Sequence, residues 1–250
     1  MGQDMTNPHD RIAQLEAELG TLQREMQEFT STVSHDLRAP LRHIVSYAAL
    51  VQEDAGPQLS PEVQGFLATM VDSAKHLGLM LDALRELSRV GTLQPQLQVV
   101  RLDELVRSVC ADLQPAWQGR EVHWTLPVDA TVCRTDATML QQALTQIIGN
   151  AVKFTAHCAS PSIQISVERD GKPDGSRSVW SIVVADNGVG YDATQQERLF
   201  TVFGRLHPAK QFPGLGMGLV TARKIMQRLG GGVSCSALPG GGCRTTLTLA

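Results

Sequence analysis

Ser34-His35-Asp36-Leu37-Arg38-Ala39-Pro40-Leu41-Arg42, SHDLRAPLR, sets a proline and a histidine–aspartate pair inside a stretch that reads as helix on both sides. Before it, Ile12, Leu15, Leu19, Leu22, Met26, Phe29 and Val33 recur at alternating steps of three and four. That spacing keeps a narrow apolar seam on one side of a helix, as in a coiled coil rather than a helix lying on a globular core. After Val33 the apolar positions become Leu37, Leu41, Ile44, Ala48 and Val51, so steps of four shift the seam where it passes His35. Gly56 and Pro57 end this helix. Ser60 and Pro61 offer a cap and a first-turn proline for the next, whose stripe of Val63, Leu67, Met70, Ala74, Leu77, Leu81 and Leu84 runs to about Val90. Two antiparallel helices are expected, and hairpins from two chains would bury both stripes in a dimeric four-helix bundle. The alternative is a solitary amphipathic helix packed on its own domain.

Each helical residue turns by about 100°, so His35, two residues from both Val33 and Leu37, points about 200° away from the seam and into solvent. A neutral imidazole is a usable nucleophile near neutral pH, and a carboxylate that accepts the proton of one ring nitrogen leaves the other lone pair free to attack. Asp36 stands next to it for that role. Pro40 removes a backbone hydrogen bond near Asp36 and is expected to loosen or kink the reacting turn. His43, His76 and His123 lack such company and read as surface residues.

Beyond a linker over residues 91–98 the pattern changes to short strands interspersed with helices. Strands are expected at Val99–Leu102, Val122–Leu126, Thr131–Arg134, Ile163–Arg169, Ser178–Ala185, Gly232–Ala237 and Arg244–Leu249, with a hairpin turn at GKPDGS, residues 171–176. Asp103 reads as the cap of a helix through about Gln118, Asp136 as the cap of the helix holding IIGNAVKF, and a last helix runs from about Gly218 to Leu229. Strands that come mainly in neighbouring pairs argue for an α+β sandwich with helices on one sheet face.

The 250 residues suit one large domain or two ordinary ones, and a net charge of −3 without a basic run excludes a nucleic-acid footprint. No run of 18 apolar residues occurs and MGQDMTNPHD lacks a signal-peptide pattern, so no membrane partner and a soluble, cytoplasmic chain are expected. Five widely spaced cysteines without a C-x-x-C pair point to reduced thiols, not to disulfides or a zinc site.

A nucleophile needs an electrophile. No G-x-x-x-x-G-K-[ST] is present, and the glycines Gly214, Gly216 and Gly218 follow a loop rather than a strand, which excludes a P-loop and argues against a dinucleotide fingerprint. Three other segments suit a nucleotide. Asn150 and Lys153, one helical turn apart in IIGNAVKF, supply a neutral oxygen ligand for Mg²⁺ and a cation for phosphate. Asp186 in ADNGVG ends a strand ahead of Gly188 and Gly190, suited to accept a hydrogen bond from an amino group beside a tight turn. GLGMGL opens a helix whose free amides can face an anion.

SHDLRAPLR followed by IIGNAVKF, DNGVG, the Phe200-x-x-Phe203 pair and GLGMGL resembles the H, N, G1, F and G2 boxes of sensor histidine kinases of the HisKA class. FGRLHPAKQFPG looks closest to the output modules of phytochrome-type kinases. The resemblance covers roughly residues 28 to 250. It implies a coiled-coil signalling helix over 1–27, a dimerisation and histidine-phosphotransfer domain over 28–92, and a GHKL-type ATP-binding domain over 98–250 with a flexible lid at about Phe203 to Pro213. Carried over to this chain, it implies that His35 accepts the γ-phosphoryl group of ATP and Asp36 orients and deprotonates it. Asn150 would ligate Mg²⁺, Asp186 would recognise the adenine amino group, and Gly188 and Gly190 would shape that pocket. Gly214, Gly216 and Gly218 would admit the phosphates, with Lys153 and Arg205 near them. The phosphoryl group would pass to an aspartate on the receiver domain of a separate response regulator, and an upstream sensor would act through the N-terminal helix.

Two positions depart from the family pattern. Gln146 stands where an asparagine is usual, four residues before the Mg²⁺ ligand, which keeps the amide but moves it. Ala39, four after His35, replaces the Thr or Asn that orients water in kinases with strong phosphatase activity, so weak phosphatase activity is expected. Gln146 also motivates a rival reading, a catalytically weakened nucleotide-binding scaffold that sequesters response regulators. A GHKL ATPase of the chaperone or mismatch-repair kind would leave SHDLRAPLR without a purpose.

Overall fold

The structure, a computed structural model, describes residues 8–170 and 179–249, and divides into two compact units, Met1–Thr92 and Leu93–Ala250. The GKPDGS turn and Ser178, the expected first residue of a strand, lie outside the described residues.

The first unit is a helical hairpin of α1 (Pro8–Ala55) and α2 (Pro61–Thr92). Its turn forms as the glycine and prolines dictate: α1 stops before Gly56-Pro57, a short 3-10 turn covers Gly56–Gln58, and the Val63 amide donates to Ser60 Oγ at 3.3 Å. Gln64 Nε2 fastens the turn by donating to the carbonyls of Gly56 and Leu59 at 2.7 and 3.3 Å. Helix α2 runs through Gly91, which had read as linker, because one glycine costs a helix end only about 1 kcal/mol. Pro40 does not interrupt α1.

The apolar positions divide between two faces. Ala48 on α1 and Ala74 and Leu81 on α2 are buried, whereas Leu37, Ile44, Val51, Met70 and Leu77 stay exposed. The N-terminal run is open as well, with Leu22, Met26 and Phe29 each more than 60% exposed in the single chain.

The second unit is the expected α+β sandwich. A five-stranded sheet in the order β2-β4-β5-β7-β6 comprises β2 (His123–Thr125), β4 (Ser162–Asp170), β5 (Val179–Asp186), β6 (Gly232–Ala237) and β7 (Cys243–Leu249). Among the described residues only β2 and β4 pair in parallel. Strand alternation puts Ile163, Ile165, Ile182, Val184, Leu247 and Leu249 on one face, all nearly without solvent contact. Packed there are α4 (Ala137–Phe154) and α5 (Gly218–Arg228), with α3 (Leu102–Asp112) against α4, while β1 (Gln98–Arg101) and β3 (Val132–Thr135) form a small antiparallel ribbon.

Two helix boundaries differ from expectation. Helix α3 ends at Asp112 instead of near Gln118 because Pro115 cannot donate to the helical ladder, and a 3-10 turn over Gln114–Trp117 follows. Asp103 does not cap α3; it lies inside the first turn, buried, and accepts from Arg101 and Arg107 at 3.0 Å each. Those guanidiniums hold its carboxyl below the ordinary range. A folded pKa below the unfolded one gives stability that is full above the unfolded value and is lost as pH falls through the folded one. Asp103→Asn is therefore expected to lower the melting temperature at pH 7, by an amount that shrinks as pH falls below the ordinary carboxylate value of 3.8, as circular dichroism would measure.

Asp136 does cap α4: its Oδ1 accepts from the Met139 amide at 3.0 Å and its Oδ2 from the Gln96 amide at 2.7 Å. One carboxylate thus starts the helix that carries the site and ties the incoming chain to it.

Candidate active site

In the first unit the reacting turn is anchored from one side. Ser34 is buried and its hydroxyl donates to the Leu81 carbonyl at 3.4 Å, while Arg38 donates to Asp82 at 2.6 Å. Between these two anchors the helix presents His35 and Asp36 outward, with side chains 83% and 70% exposed. The His35 Nδ1–H donates to Asp36 Oδ1 at 3.1 Å, an arrangement that in the neutral ring puts the lone pair on Nε2. The outward direction of His35 was legible from the helical phase. The Ser34 and Arg38 anchors were not, since their partners lie more than 40 residues away in sequence.

In the second unit the last two turns of α4 hold the site together. Gln146, Asn150 and Lys153 recur at i, i+4 and i+7 on the face opposite the buried stripe of Leu140, Leu144, Ile147 and Ile148. Each segment singled out from sequence meets this helix end. A Cβ on Gly218, the first residue of α5, would stand 2.9 Å from Gln146 Oε1 and 3.4 Å from Asn150 Nδ2, and one on Gly214 would stand 3.6 Å from Lys153 Nζ. The Val189 amide donates to the Phe154 carbonyl at 3.2 Å. A Cβ on Gly188 would crowd that carbonyl at 2.7 Å, so only glycine lets the ADNG turn reach α4. Gly188→Ala is expected to destabilise the unit by about 1–3 kcal/mol, read from thermal unfolding without ligand.

Asp186 ends β5 at the far side of this turn. It is buried, accepts from the Gly188 amide at 2.8 Å and from the Cys243 amide, and burial outweighs both bonds, lifting its carboxyl to about 6. Gly190, at φ +64°, and Gly242, at φ +94°, meet back to back: a Cβ on Gly190 would lie 2.9 Å from the Gly242 amide nitrogen. Gly242 went unnoticed in the sequence because GGG reads as an ordinary hairpin.

Charge at the other end of the cleft is positive. Burial first, and Arg205 second, push the Lys153 ammonium below its ordinary value, and Lys153 Nζ sits 4.5 Å over the Phe154 ring. The N-terminus of α5 has no side-chain cap. Gly216, at φ +76°, lies against the Gly204 carbonyl and lets GLGMGL fold back before the helix begins. The segment expected to be a lid is packed: Phe212 is buried against Phe154, His157 and His207 at ring separations of 5.2 to 5.4 Å. Arg205 donates to the Phe212 carbonyl at 2.9 Å, and His207 Nε2–H to the Gly190 carbonyl at 2.8 Å. His157 and His207 carried no sequence signal as partners, because aromatic packing depends on how the loop closes.

A triphosphate fits these residues, since two cations and uncapped amides converge where Gly214 leaves room. Mg²⁺ fits with fewer protein ligands. Among the described residues no three His, Cys, Asp or Glu side chains gather to hold a metal, so the amide oxygens of Asn150 and Gln146 would have to share the ion with phosphate oxygens and water.

Residues 25–93 match the His Kinase A (phospho-acceptor) domain model, and residues 135–250 match that of the histidine kinase-, DNA gyrase B-, and HSP90-like ATPases. Cyanobacterial phytochrome A of Nostoc sp. is 29% identical over 87% of this chain and 28% of its own length. The methanogenesis regulatory histidine kinase FilI of Methanothrix harundinacea is 28% identical over 96% of this chain and 26% of its own. The chain thus spans less than a third of the length of these curated relatives. Among solved structures, full-length ShkA in complex with AMPPNP shares the fold with a TM-score of 0.59 at 23% identity, over 90% of this chain and 46% of that one. The two domain matches, in this order and on these residues, show that the chain belongs to the sensor histidine kinases of the HisKA class.

Proposed function

We propose that the protein is an ATP-dependent protein-histidine kinase that phosphorylates His35 and passes the group to an aspartate on the receiver domain of a separate response regulator. The observation that carries this reading is the convergence on α4 of two cations, Lys153 and Arg205, and the uncapped start of α5, with a buried carboxylate, Asp186, at the adenine end. His35 Nε2 attacks the γ-phosphorus as the bond from that phosphorus to the β–γ bridging oxygen breaks and ADP departs. Asp36 accepts the Nδ1 proton as the ring becomes cationic. Asn150, with Gln146 beside it, would hold Mg²⁺, which supplies charge neutralisation on the phosphates; Lys153, Arg205 and the α5 amides add to it. Asp186 accepts from the adenine amino group, and the turn through Gly188 and Gly190 closes around the base. Incubation with γ-labelled ATP tests this: acid-labile, alkali-stable label on His35 is expected. Nucleotide binding without label would favour the scaffold that sequesters response regulators.

The open apolar seam from Ile12 to Phe29, and Leu37, Ile44 and Val51 beyond it, supports a homodimer, since a second copy would cover both. Residues 1–27 would then form the signalling helix, 28–92 the phosphotransfer domain and 98–250 the ATP-binding domain. Helix α1 continues from Pro8 to Ala55, which suits a rod carrying an upstream sensor's input to His35. Among the described residues no helix is long and apolar enough to cross a membrane, in keeping with action in the cytoplasm.

Ala39 offers no polar group one turn after His35, so phosphatase activity should be weak. Ala39→Thr is expected to speed loss of phosphate from a receiver domain at least tenfold in the presence of ADP, within the range for a positioned water-orienting group. An unchanged decay rate would remove Ala39 as the reason.

A further inference from the structure

Strands β6 and β7 bring together two thiols for which phosphotransfer has no use. Cys235 stands opposite Thr245 and Ala237 opposite Cys243, so the two cysteines are diagonal neighbours on one face of the sheet. Both sulfurs converge on one hydroxyl, with Cys235 Sγ 3.5 Å and Cys243 Sγ 3.8 Å from Thr245 Oγ1. Asp186 faces Cys243 across the β5–β7 ladder and takes its amide, so the pair shares the adenine end of the cleft. Both thiols are free, Cys235 buried and Cys243 half-buried, and among the described residues no further ligands make this a metal set.

We propose that Cys235 and Cys243 are an oxidisable pair, which a hydroperoxide converts to a disulfide that draws Cys243 off Asp186 and weakens nucleotide binding. This rests on the nucleotide reading of the cleft. The neighbouring Cys243 thiol favours ionisation of Cys235, while the Asp186 carboxylate opposes the ionisation of both, so a strong, small oxidant is required. Cys235 sulfur attacks the peroxide: an S–O bond forms, the O–O bond breaks, and an alcohol or water leaves. Cys243 sulfur then attacks Cys235 sulfur, the S–S bond forms, and hydroxide leaves to take the second thiol's proton as water. The two thiols lose two electrons and two protons, and the hydroperoxide gains them.

Diagonal neighbours have Cα atoms roughly 7–8 Å apart, somewhat beyond the reach of a disulfide, so closure must move one strand. The give is at hand. Gly240, Gly241 and Gly242, all with positive φ, precede Cys243, and the Asp186–Cys243 pair is the last of the β5–β7 ladder. Drawing Cys243 toward β6 therefore removes an amide donor from Asp186.

Hydrogen peroxide treatment of the whole protein, followed by non-reducing peptide mapping and titration with a fluorescent ATP analogue, tests this. A Cys235–Cys243 disulfide and roughly tenfold weaker nucleotide binding are expected, the worth of one hydrogen bond to a charged group. Dithiothreitol should restore affinity, Cys235→Ser should abolish the peroxide effect, and Cys158→Ser should not. Absence of the mapped disulfide, or a disulfide with unchanged affinity, overturns the proposal. Failure of the reduced protein to bind the analogue would instead strike the nucleotide reading and the regulatory half with it, while the peptide map still decides the thiol pair.

Discussion

His35→Gln is expected to reduce acid-labile label from γ-labelled ATP to background while leaving nucleotide binding and the melting curve unchanged. The side chain is 83% exposed and its hydrogen bond is to the equally outward Asp36, so the fold loses nothing measurable, within about 0.5 kcal/mol. Glutamine keeps polarity and length but has no nitrogen lone pair to attack phosphorus, so the loss is of the chemical step alone. Asp36→Asn should leave a residual rate roughly 10²- to 10⁴-fold lower, because the imidazole keeps its nucleophile and loses only its proton acceptor. Mixing His35→Gln with Asn150→Ala chains separates two routes: label reappearing on the Asn150→Ala chain means transfer between protomers. Label persisting in His35→Gln alone would place the acceptor elsewhere and sink the reading.

The elements that could be read from sequence were those governed by local periodicity. The hairpin helices, the Asp136 cap and the strand pairs follow from spacings of three, four and two, and the outward phase of His35 follows from helix geometry alone. What escaped depends on long-range closure. Asp103 is the local exception: it looked like a cap and is instead the buried partner of Arg101, at the end of β1, and of Arg107, one turn on in α3. Phe212 looked like part of a loose lid and is buried among Phe154, His157 and His207. Gly242 and Cys243 gave no signal at all, since their meaning lies in the ladder that sets them beside Asp186. The seam past His35 was read as one stripe; on the folded hairpin Ala48 turns inward while Leu37, Ile44 and Val51 stay open. One pattern thus serves two interfaces, which periodicity cannot separate.

Asp186→Asn is expected to weaken nucleotide binding about 100-fold and yet to leave the unliganded domain as stable as wild type or more so at pH 8. The first effect arises because an amide nitrogen can face the adenine amino group, donor against donor, where an ionised acceptor stood. The second follows from burial. Desolvation raises the folded carboxyl to about 6, above its ordinary 3.8, despite the amides of Gly188 and Cys243. A folded acid with a raised pKa holds a proton that the unfolded chain releases, so stability declines as pH climbs from about 4 to about 6 and stays reduced above. The reduction is at most about 3 kcal/mol, two pKa units converted, and the asparagine variant is free of it. Wild-type melting temperature should therefore fall between about pH 4 and 6 by more than that of the variant. Nucleotide affinity runs the other way, weakening as pH drops below about 6 and the acceptor is protonated. A fold poised against its own ligand site is what a recognition carboxylate in a dry pocket requires, since bound adenine returns the hydrogen bond that burial took away. Equal affinity in the variant, or a melting profile that shifts in parallel with wild type across that window, would show that Asp186 serves the sheet and not the base.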